Sequence, residues 1–316
     1  MDALPATDRA VGIVGLGLVG SALAARLQAA GFTVHGFDLR PEARDALAAA
    51  GGRPADTLAA LGAAVGTAVL AVFDTQDVLQ VLEGTGDRLL GPGSTVRTVV
   101  DCSTGEPAAL AALSARLAAR GIGFVEAPLS GSSRQIAEGA ATMLLGGDAA
   151  TIAGCAPVFD AIAARRVHAG GAGMGARAKL ATNLVIGLNR AALAEGFVFA
   201  EALGIAPAAF LELVLATPAT SAAAEAKGAM MVSGDFAPQS RIRQHLKDVG
   251  LMLADAAAAG QRLPLSETHA ALMRAAVAAG DGELDNAALL RQLRRERLAD
   301  APPLSMSSSE PKASDA

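Results

Sequence analysis

The sequence predicts an α/β protein in two parts, a doubly wound, mostly parallel sheet over residues 10–172 and an all-helical domain over 173–299. Three observations carry that reading. Short apolar runs alternate with alanine-rich helical stretches through the first half, a glycine-spaced turn joins the first run to the first helix, and the strand pattern stops after Gly175.

Val11-Gly-Ile-Val14 is a short apolar strand, Gly15-Leu16-Gly17-Leu18-Val19-Gly20 a glycine turn, and Ser21 to Ala30 a helix closed by Gly31. The second strand runs Phe32 to Phe37 and ends at Asp38. Later strands are expected at Ala68 to Phe73, Thr98 to Asp101, Gly123 to Glu126, Met143 to Leu145 and Arg166 to His168, with helices between them. Strands joined through helices run parallel, with helices covering both faces. From Arg177 to Leu203 apolar residues recur at helical spacing without a proline, and the following helices, to about Leu298, break at Pro207, Pro218, Pro238 and Pro264. Residues 1–9 and 300–316 combine charge, proline and serine with little to bury and read as disordered tails.

Composition limits the function. With 316 residues, 52% hydrophobic and 18% charged, the chain has room for two domains and a sizeable core. A net charge of -5 supplies no broad basic field, so neither nucleic acid nor a membrane is an expected partner; Arg291 to Arg297 reads as an exposed helix. Two cysteines, Cys102 and Cys155, make a disulfide framework or cysteine-built metal site unexpected. The chain lacks any apolar run of about 18 residues, the length of a membrane span. Residues 1–10 lack the basic start and apolar core of a signal peptide, so a cytoplasmic protein is expected.

The glycine turn follows an apolar strand and opens a helix, and an acid, Asp38, stands at the tip of the next strand, eighteen residues after Gly20. This is the dinucleotide fingerprint of the Rossmann fold. Gly15 permits the turn, Gly17 lets the backbone approach a pyrophosphate, and Gly20 allows close packing, while the helix N-terminus favours phosphate charge. Asp38 accepts hydrogen bonds from a ribose and repels a 2′-phosphate, which favours NAD. Arg40, two residues on, is suited to that phosphate, so NADP stays possible.

In Gly171-Ala-Gly-Met-Gly-Ala-Arg-Ala-Lys179-Leu-Ala-Thr-Asn183 a lysine and an asparagine stand four residues apart, on one helix face. An amine beside a nicotinamide ring can pass a proton to or from a substrate oxygen while hydride moves at carbon. The alternative, a surface lysine, leaves the pairing with the glycine fingerprint unexplained.

With these segments the chain resembles the 3-hydroxyacid dehydrogenase family, which includes 3-hydroxyisobutyrate dehydrogenase and tartronate semialdehyde reductase and shares its NAD-binding superfamily with 6-phosphogluconate dehydrogenase. The resemblance spans Val11 to about Leu293 and rests on Gly15 to Gly20, Asp101-Cys-Ser-Thr104-Gly-Glu-Pro107, Glu126-Ala-Pro-Leu-Ser130-Gly131-Ser132, Lys179 to Asn183, and His245-Leu-Lys247-Asp248. It implies that Lys179 is general acid and base, that Ser130, Gly131 and Ser132 hold the substrate carboxylate, and that Asn183 orients the substrate. Thr104 and Lys247 are implied at the cofactor, as are Phe73 and Asp74, which replace a Leu-Pro pair of relatives. A homodimer or homotetramer through the helical domain is also implied.

Departures from the family pattern concern the substrate. Ser132-Ser133-Arg134-Gln135-Ile136, Leu184, and the polar run Ser240, Arg241, Arg243, Gln244, His245 suggest a more hydroxylated or more anionic acid than hydroxyisobutyrate; surface positions explain some of them equally well. Rival chemistries fail on counts: the chain has no tyrosine for a Tyr-Lys dyad, and of His35, His168, His245 and His269 none sits in a recognisable acid-paired motif, with packing or solvent the expected place for His245. Two alternatives stay open: a non-catalytic NAD-binding sensor or scaffold, and an imine reductase-like enzyme, against which Lys179 argues. The expected function is an NAD(P)-dependent oxidoreductase moving hydride between nicotinamide and a small 3-hydroxy acid or its semialdehyde or keto form.

Overall fold

The computed structural model describes residues 9–297; the expected tails at 1–9 and 300–316 lie outside the described residues, except for Arg9. The strands are β1 Ala10–Val14, β2 Thr33–Phe37, β3 Arg53–Pro54, β4 Thr67–Leu70, β5 Thr98–Asp101, β6 Gly123–Glu126, β7 Leu129–Ser130, β8 Thr142–Gly146 and β9 Arg165–Gly170. The helices of the sheet domain are α1 Leu18–Ala29, α2 Pro41–Ala49, α3 Leu58–Ala64, α4 Thr75–Glu83, α5 Pro107–Ala118, α6 Ser133–Ala137, α7 Ala149–Gly154 and α8 Ala156–Ile162. Those of the helical domain are α9 Met174–Ala202, α10 Pro207–Ala216, α11 Ala222–Ser233, α12 Ile242–Ala258, α13 Pro264–Ala278 and α14 Leu289–Arg295.

The strands form one sheet in the order β3-β2-β1-β4-β5-β6-β8-β7, with β9 also paired to β8. Pairing is parallel except at β6–β8 and β7–β8. Chain order reverses at β1, between β2 and β4, and the crevice at such a reversal, past the carboxyl ends of the strands, is where doubly wound sheets bind ligands. Alternate strand residues face opposite layers: Ile13, Val69 and Val100 pack with Leu23 and Leu27 of α1, whereas Leu70 and Val99 pack with Leu61, Val78 and Leu110. A third core, around Phe197, Met231, Met252 and Met273, belongs to the helices after residue 173.

Several boundaries differ from expectation for identifiable reasons. β3 and β7 have two residues each, which pairing rather than pattern creates. The strand expected to reach Phe73 stops at Leu70, because the backbone N–H of Val72 turns to Ser103 Oγ (3.1 Å) and that of Phe73 to Asp77 Oδ2 (3.2 Å). The helix expected from Arg177 begins at Met174. Its start is capped by Glu126, at the end of β6, whose carboxylate accepts the N–H of Gly173 and, at 2.7 Å, that of Ala176. A carboxylate at a helix N-terminus satisfies donors that have no partner within the helix, and here it fixes the helix carrying Lys179 onto the sheet.

The arginine-rich end is less free than a solvated helix. Arg291 and Arg295 pair with buried Asp281, and Arg294 with Glu201 of α9. No helix among the described residues is long and apolar enough to cross a membrane.

Candidate active site

A cleft of about 1340 Å³ runs between the sheet domain and the helical domain. Its size exceeds that of an ordinary small-ligand pocket, roughly 300–1,000 Å³, and leaves room for a dinucleotide and a small substrate together. One end is the glycine turn. Gly15 has φ +89°, a Cβ at Gly20 would overlap the Gly15 carbonyl oxygen, and a Cβ at Gly17 would meet only open space. Helix α1 therefore starts close under the turn, and Gly17 at its N-cap supplies no capping side chain to its first N–H groups. Leu16, Gly17, Leu18 and Val19 line the cleft, whereas Gly20 serves packing.

Asp38 closes this end. Its Oδ2 accepts the Leu16 N–H at 2.8 Å, and its carboxylate is gripped by Arg40, Nε to Oδ1 at 3.1 Å and Nη2 to Oδ2 at 3.2 Å. Burial works against the charged carboxylate, but the hydrogen bonds of Arg40 and Leu16 outweigh it and hold Asp38 below the usual range. The open glycine cradle, the uncapped helix start and this carboxylate fit a dinucleotide: pyrophosphate at the turn, ribose at Asp38.

At the other end Lys179 projects from α9 and is 8% exposed. Its Nζ donates to the carbonyl oxygen of Leu129 in β7 at 2.6 Å. Burial lowers its pKa to about 8; the Asp248 carboxylate opposes that shift and the Lys247 ammonium adds to it. One turn on, Asn183 Nδ2 donates to Asp248 Oδ2 at 3.3 Å. Lys247 lies 3.1 Å from Asp248 Oδ1 and donates to the carbonyl oxygens of Phe73 (2.8 Å) and Thr104 (2.6 Å).

Ser130, the last residue of β7, and Gly131 and Ser132 just after it lie on the same cleft. Ser132 caps α6: its Oγ accepts the Gln135 N–H at 3.3 Å and its own N–H donates to Gln135 Oε1 at 2.8 Å, so the O–H proton is the one donor it has left for a ligand.

The structure thus gathers most of the sequence-derived site, including Phe73 and Thr104, on one cleft. It does not bring Asp74 there. That carboxylate caps α4, accepting the Asp77 N–H at 3.0 Å. Lys247 reaches the cofactor-side loops through backbone carbonyls and stands 5.3 Å over the Phe73 ring. His245 is buried, one of the two places expected for it, and also lines the cleft beside His269, ring centroids 5.4 Å apart. Arg190, not singled out in the sequence, lines it too.

A dinucleotide cradle facing a buried lysine across an interdomain cleft defines a nicotinamide-dependent oxidoreductase. Two family models account for nearly the whole chain: the NAD binding domain of 6-phosphogluconate dehydrogenase matches residues 10–171, and the NAD-binding domain of NADP-dependent 3-hydroxyisobutyrate dehydrogenase matches residues 173–293. The chain is 33% identical to L-threonate dehydrogenase of Cupriavidus necator over 89% of its length and 95% of the relative's. It is 30% identical to 2-hydroxy-3-oxopropionate reductase of Escherichia coli, covering 90% and 96%. The crystal structure of a 3-hydroxyisobutyrate dehydrogenase from Salmonella typhimurium superposes with a TM-score of 0.81 at 31% identity, covering 90% of this chain and 99% of that one. The chain belongs to the 3-hydroxyacid dehydrogenase family of NAD(P)-binding oxidoreductases.

Proposed function

We propose that the protein interconverts a small 3-hydroxy acid and its semialdehyde or keto form, with Lys179 as general acid and base. Residues 10–172 form the cofactor domain of this reading and 173–299 the substrate and oligomerisation domain. The observation that carries it is the buried amine of Lys179, with a pKa brought down to about 8, on the cleft that begins at the dinucleotide cradle. A dinucleotide, when bound, supplies or accepts the hydride. During reduction Lys179 gives a proton to the developing alkoxide; during oxidation it removes the hydroxyl proton. Leu129 O holds Nζ in place through one N–H and leaves the others for the substrate oxygen. Asn183, anchored on Asp248, orients the substrate, and the turn Ser130-Gly131-Ser132 holds its carboxylate through the Gly131 N–H and the hydroxyls of Ser130 and Ser132.

NAD is the preferred cofactor in this reading because Asp38 occupies the ribose end, and NADP use rests on Arg40 leaving it. The buried free thiols Cys102 and Cys155 accord with a reducing, cytoplasmic setting. A homodimer or homotetramer through the helical domain is supported by exposed apolar side chains on α9 and α10, among them Val185, Phe199 and Leu213. Lys179 and Asn183 on the cleft favour catalysis over a binding-only scaffold. Incubation with NADH deuterated at C4 and a panel of small semialdehydes tests the reading. Deuterium should appear on the new carbinol carbon; bound NADH with no transfer to any member contradicts it.

A further inference from the structure

Lys179, Asn183, Ile186 and Arg190 recur on one face of α9 and all line the cleft. The eleven-residue step from Lys179 to Arg190 spans about 16 Å of helix, and the Arg190 guanidinium lies close enough to Asp285, Lys227, His245 and His269 for their charges to interact. Arg190 is 5% exposed, and its Nε and Nη2 have no hydrogen-bond partner among the described residues. Burial pulls its pKa down to about 10, against the attraction of Asp285.

The neighbouring anions are already engaged. Asp285 Oδ2 accepts from Lys227 Nζ (2.8 Å) and from the N–H groups of Gln239 (2.9 Å) and Ser240 (3.1 Å), and Oδ1 accepts from Ala287 (3.0 Å). Asp248 is taken by Asn183 and Lys247. The nearby imidazoles offer no charge: burial and the Arg190 guanidinium keep His245 and His269 neutral at pH 7. Among the buried and half-buried cations around the cleft, Lys247 is matched by Asp248 and Lys227 by Asp285, leaving Lys179 and Arg190 without a carboxylate among the described residues; Arg165, also on the cleft, is exposed to solvent. An ion buried without a counter-ion destabilises the fold, and a planar guanidinium fork matches a carboxylate in a way an ammonium does not.

We infer that Arg190 receives a second carboxylate, carried by the substrate away from its hydroxyl-bearing carbon, so that the substrates are 3-hydroxy dicarboxylates and the corresponding carbonyl acids. The inference rests on the reaction proposed above and deepens it. The distal carboxylate takes no part in the redox step; hydride leaves C3 for the dinucleotide and the hydroxyl proton goes to Lys179. The polar residues that first suggested an anionic substrate are largely spent elsewhere, Gln135 on Ser132 and Arg241 on Glu283 (3.2 Å). Arg190 is unspent.

Binding of unreactive acid pairs, glutarate against pentanoate and adipate against hexanoate, to the NAD-loaded protein by calorimetry tests the inference in wild type, Arg190→Met and Arg190→Lys. One dicarboxylate should bind at least about tenfold more tightly than its monocarboxylate partner, Arg190→Met should abolish that preference, and Arg190→Lys should keep part of it. Ligand-free Arg190→Met should melt no lower than wild type, since an unpaired buried charge has been removed, whereas a structural arginine would leave a less stable protein. Equal binding of the pairs by wild type, or a preference that survives Arg190→Met, overturns the inference. Turnover separates it from the reaction on which it rests. Equal oxidation of 3-hydroxybutyrate and 3-hydroxyglutarate would leave the dehydrogenase reading standing and the Arg190 role refuted. Oxidation of neither, with Arg190-dependent dicarboxylate binding, would refute the dehydrogenase reading and keep the anion site.

Discussion

Lys247, on α12 of the helical domain, donates to the carbonyl oxygen of Thr104, in the loop after β5, at 2.6 Å. The same ammonium reaches Phe73 O at 2.8 Å, in the loop after β4. One side chain therefore clasps the helical domain to two loops at the carboxyl edge of the sheet, the edge where ligands of such sheets bind. Lys247→Met removes both bonds, each worth about 1.5–3 kcal/mol when the donor is charged. The expected result is a rise of at least about tenfold in KM for cofactor and substrate, with helicity by circular dichroism unchanged. Wild-type KM values would reduce Lys247 to a surface lysine.

Lys179 gives the reaction a pH dependence whose sign differs by direction. Reduction needs the ammonium, so its kcat/KM should be flat below about pH 8 and fall above, following the pKa of about 8. Oxidation needs the free amine and should rise through the same pH to a plateau. Asp248→Asn removes the anion that props this pKa up and should move both curves to lower pH. Profiles flat through pH 8 in both directions would contradict the assignment.

The same shift predicts a stability effect. Between pH 8 and the ordinary lysine value of about 10.4, the unfolded chain holds a proton that native Lys179 has released. Unfolding free energy attributable to this group therefore rises with pH across that window. The gain in Tm of Lys179→Met over wild type should be largest below pH 8 and shrink toward pH 10; a constant difference would show that the amine is not depressed.

Asp38 and Arg40 set cofactor choice as a pair. Arg40→Ala leaves Asp38 without its guanidinium partner and should lower kcat/KM with NADPH several-fold relative to NADH. Asp38→Ala should erase discrimination and, because Asp38 also fixes the Leu16 N–H, weaken both dinucleotides. A ratio of NADH to NADPH efficiency unchanged in both variants would dismiss the pair.

Glu126 joins the end of β6 to the start of α9. Glu126→Gln keeps the shape but removes the carboxylate charge and one acceptor oxygen, and should cost about 1–3 kcal/mol of unfolding free energy in denaturant titration. Because α9 carries Lys179, kcat should fall with it. Unaltered stability would mean that the helix start holds itself.

What could be read before folding was local. The β1-turn-α1-β2 unit shows in the chain because strand, glycine turn and helix are consecutive, and Pro207 and Pro264 mark helix starts because proline suits a first turn. The start of α9 was hidden because its cap comes from a glutamate 47 residues before Gly173. Lys179 and Asn183 were legible as a spacing of four. The carbonyl partners of Lys247 were not, since loops distant in sequence supply them. Arg190 sits at a helical repeat of Lys179, a signal present in the sequence; in an alanine-rich helix, however, polarity does not mark which face meets the cleft. The Asp74 carboxylate is spent on the start of α4 rather than on the cleft, because an aspartate before a helix is first of all a cap.

The most direct test of the central claim follows NADH and NADPH oxidation at the nicotinamide absorbance with tartronate, methylmalonate and succinate semialdehydes and with longer carbonyl dicarboxylates, for wild type beside Lys179→Ala. Turnover of at least one acid by wild type, reduced by about 10²-fold or more in the variant with NADH affinity retained, is the predicted result. Turnover that survives in Lys179→Ala would contradict the account.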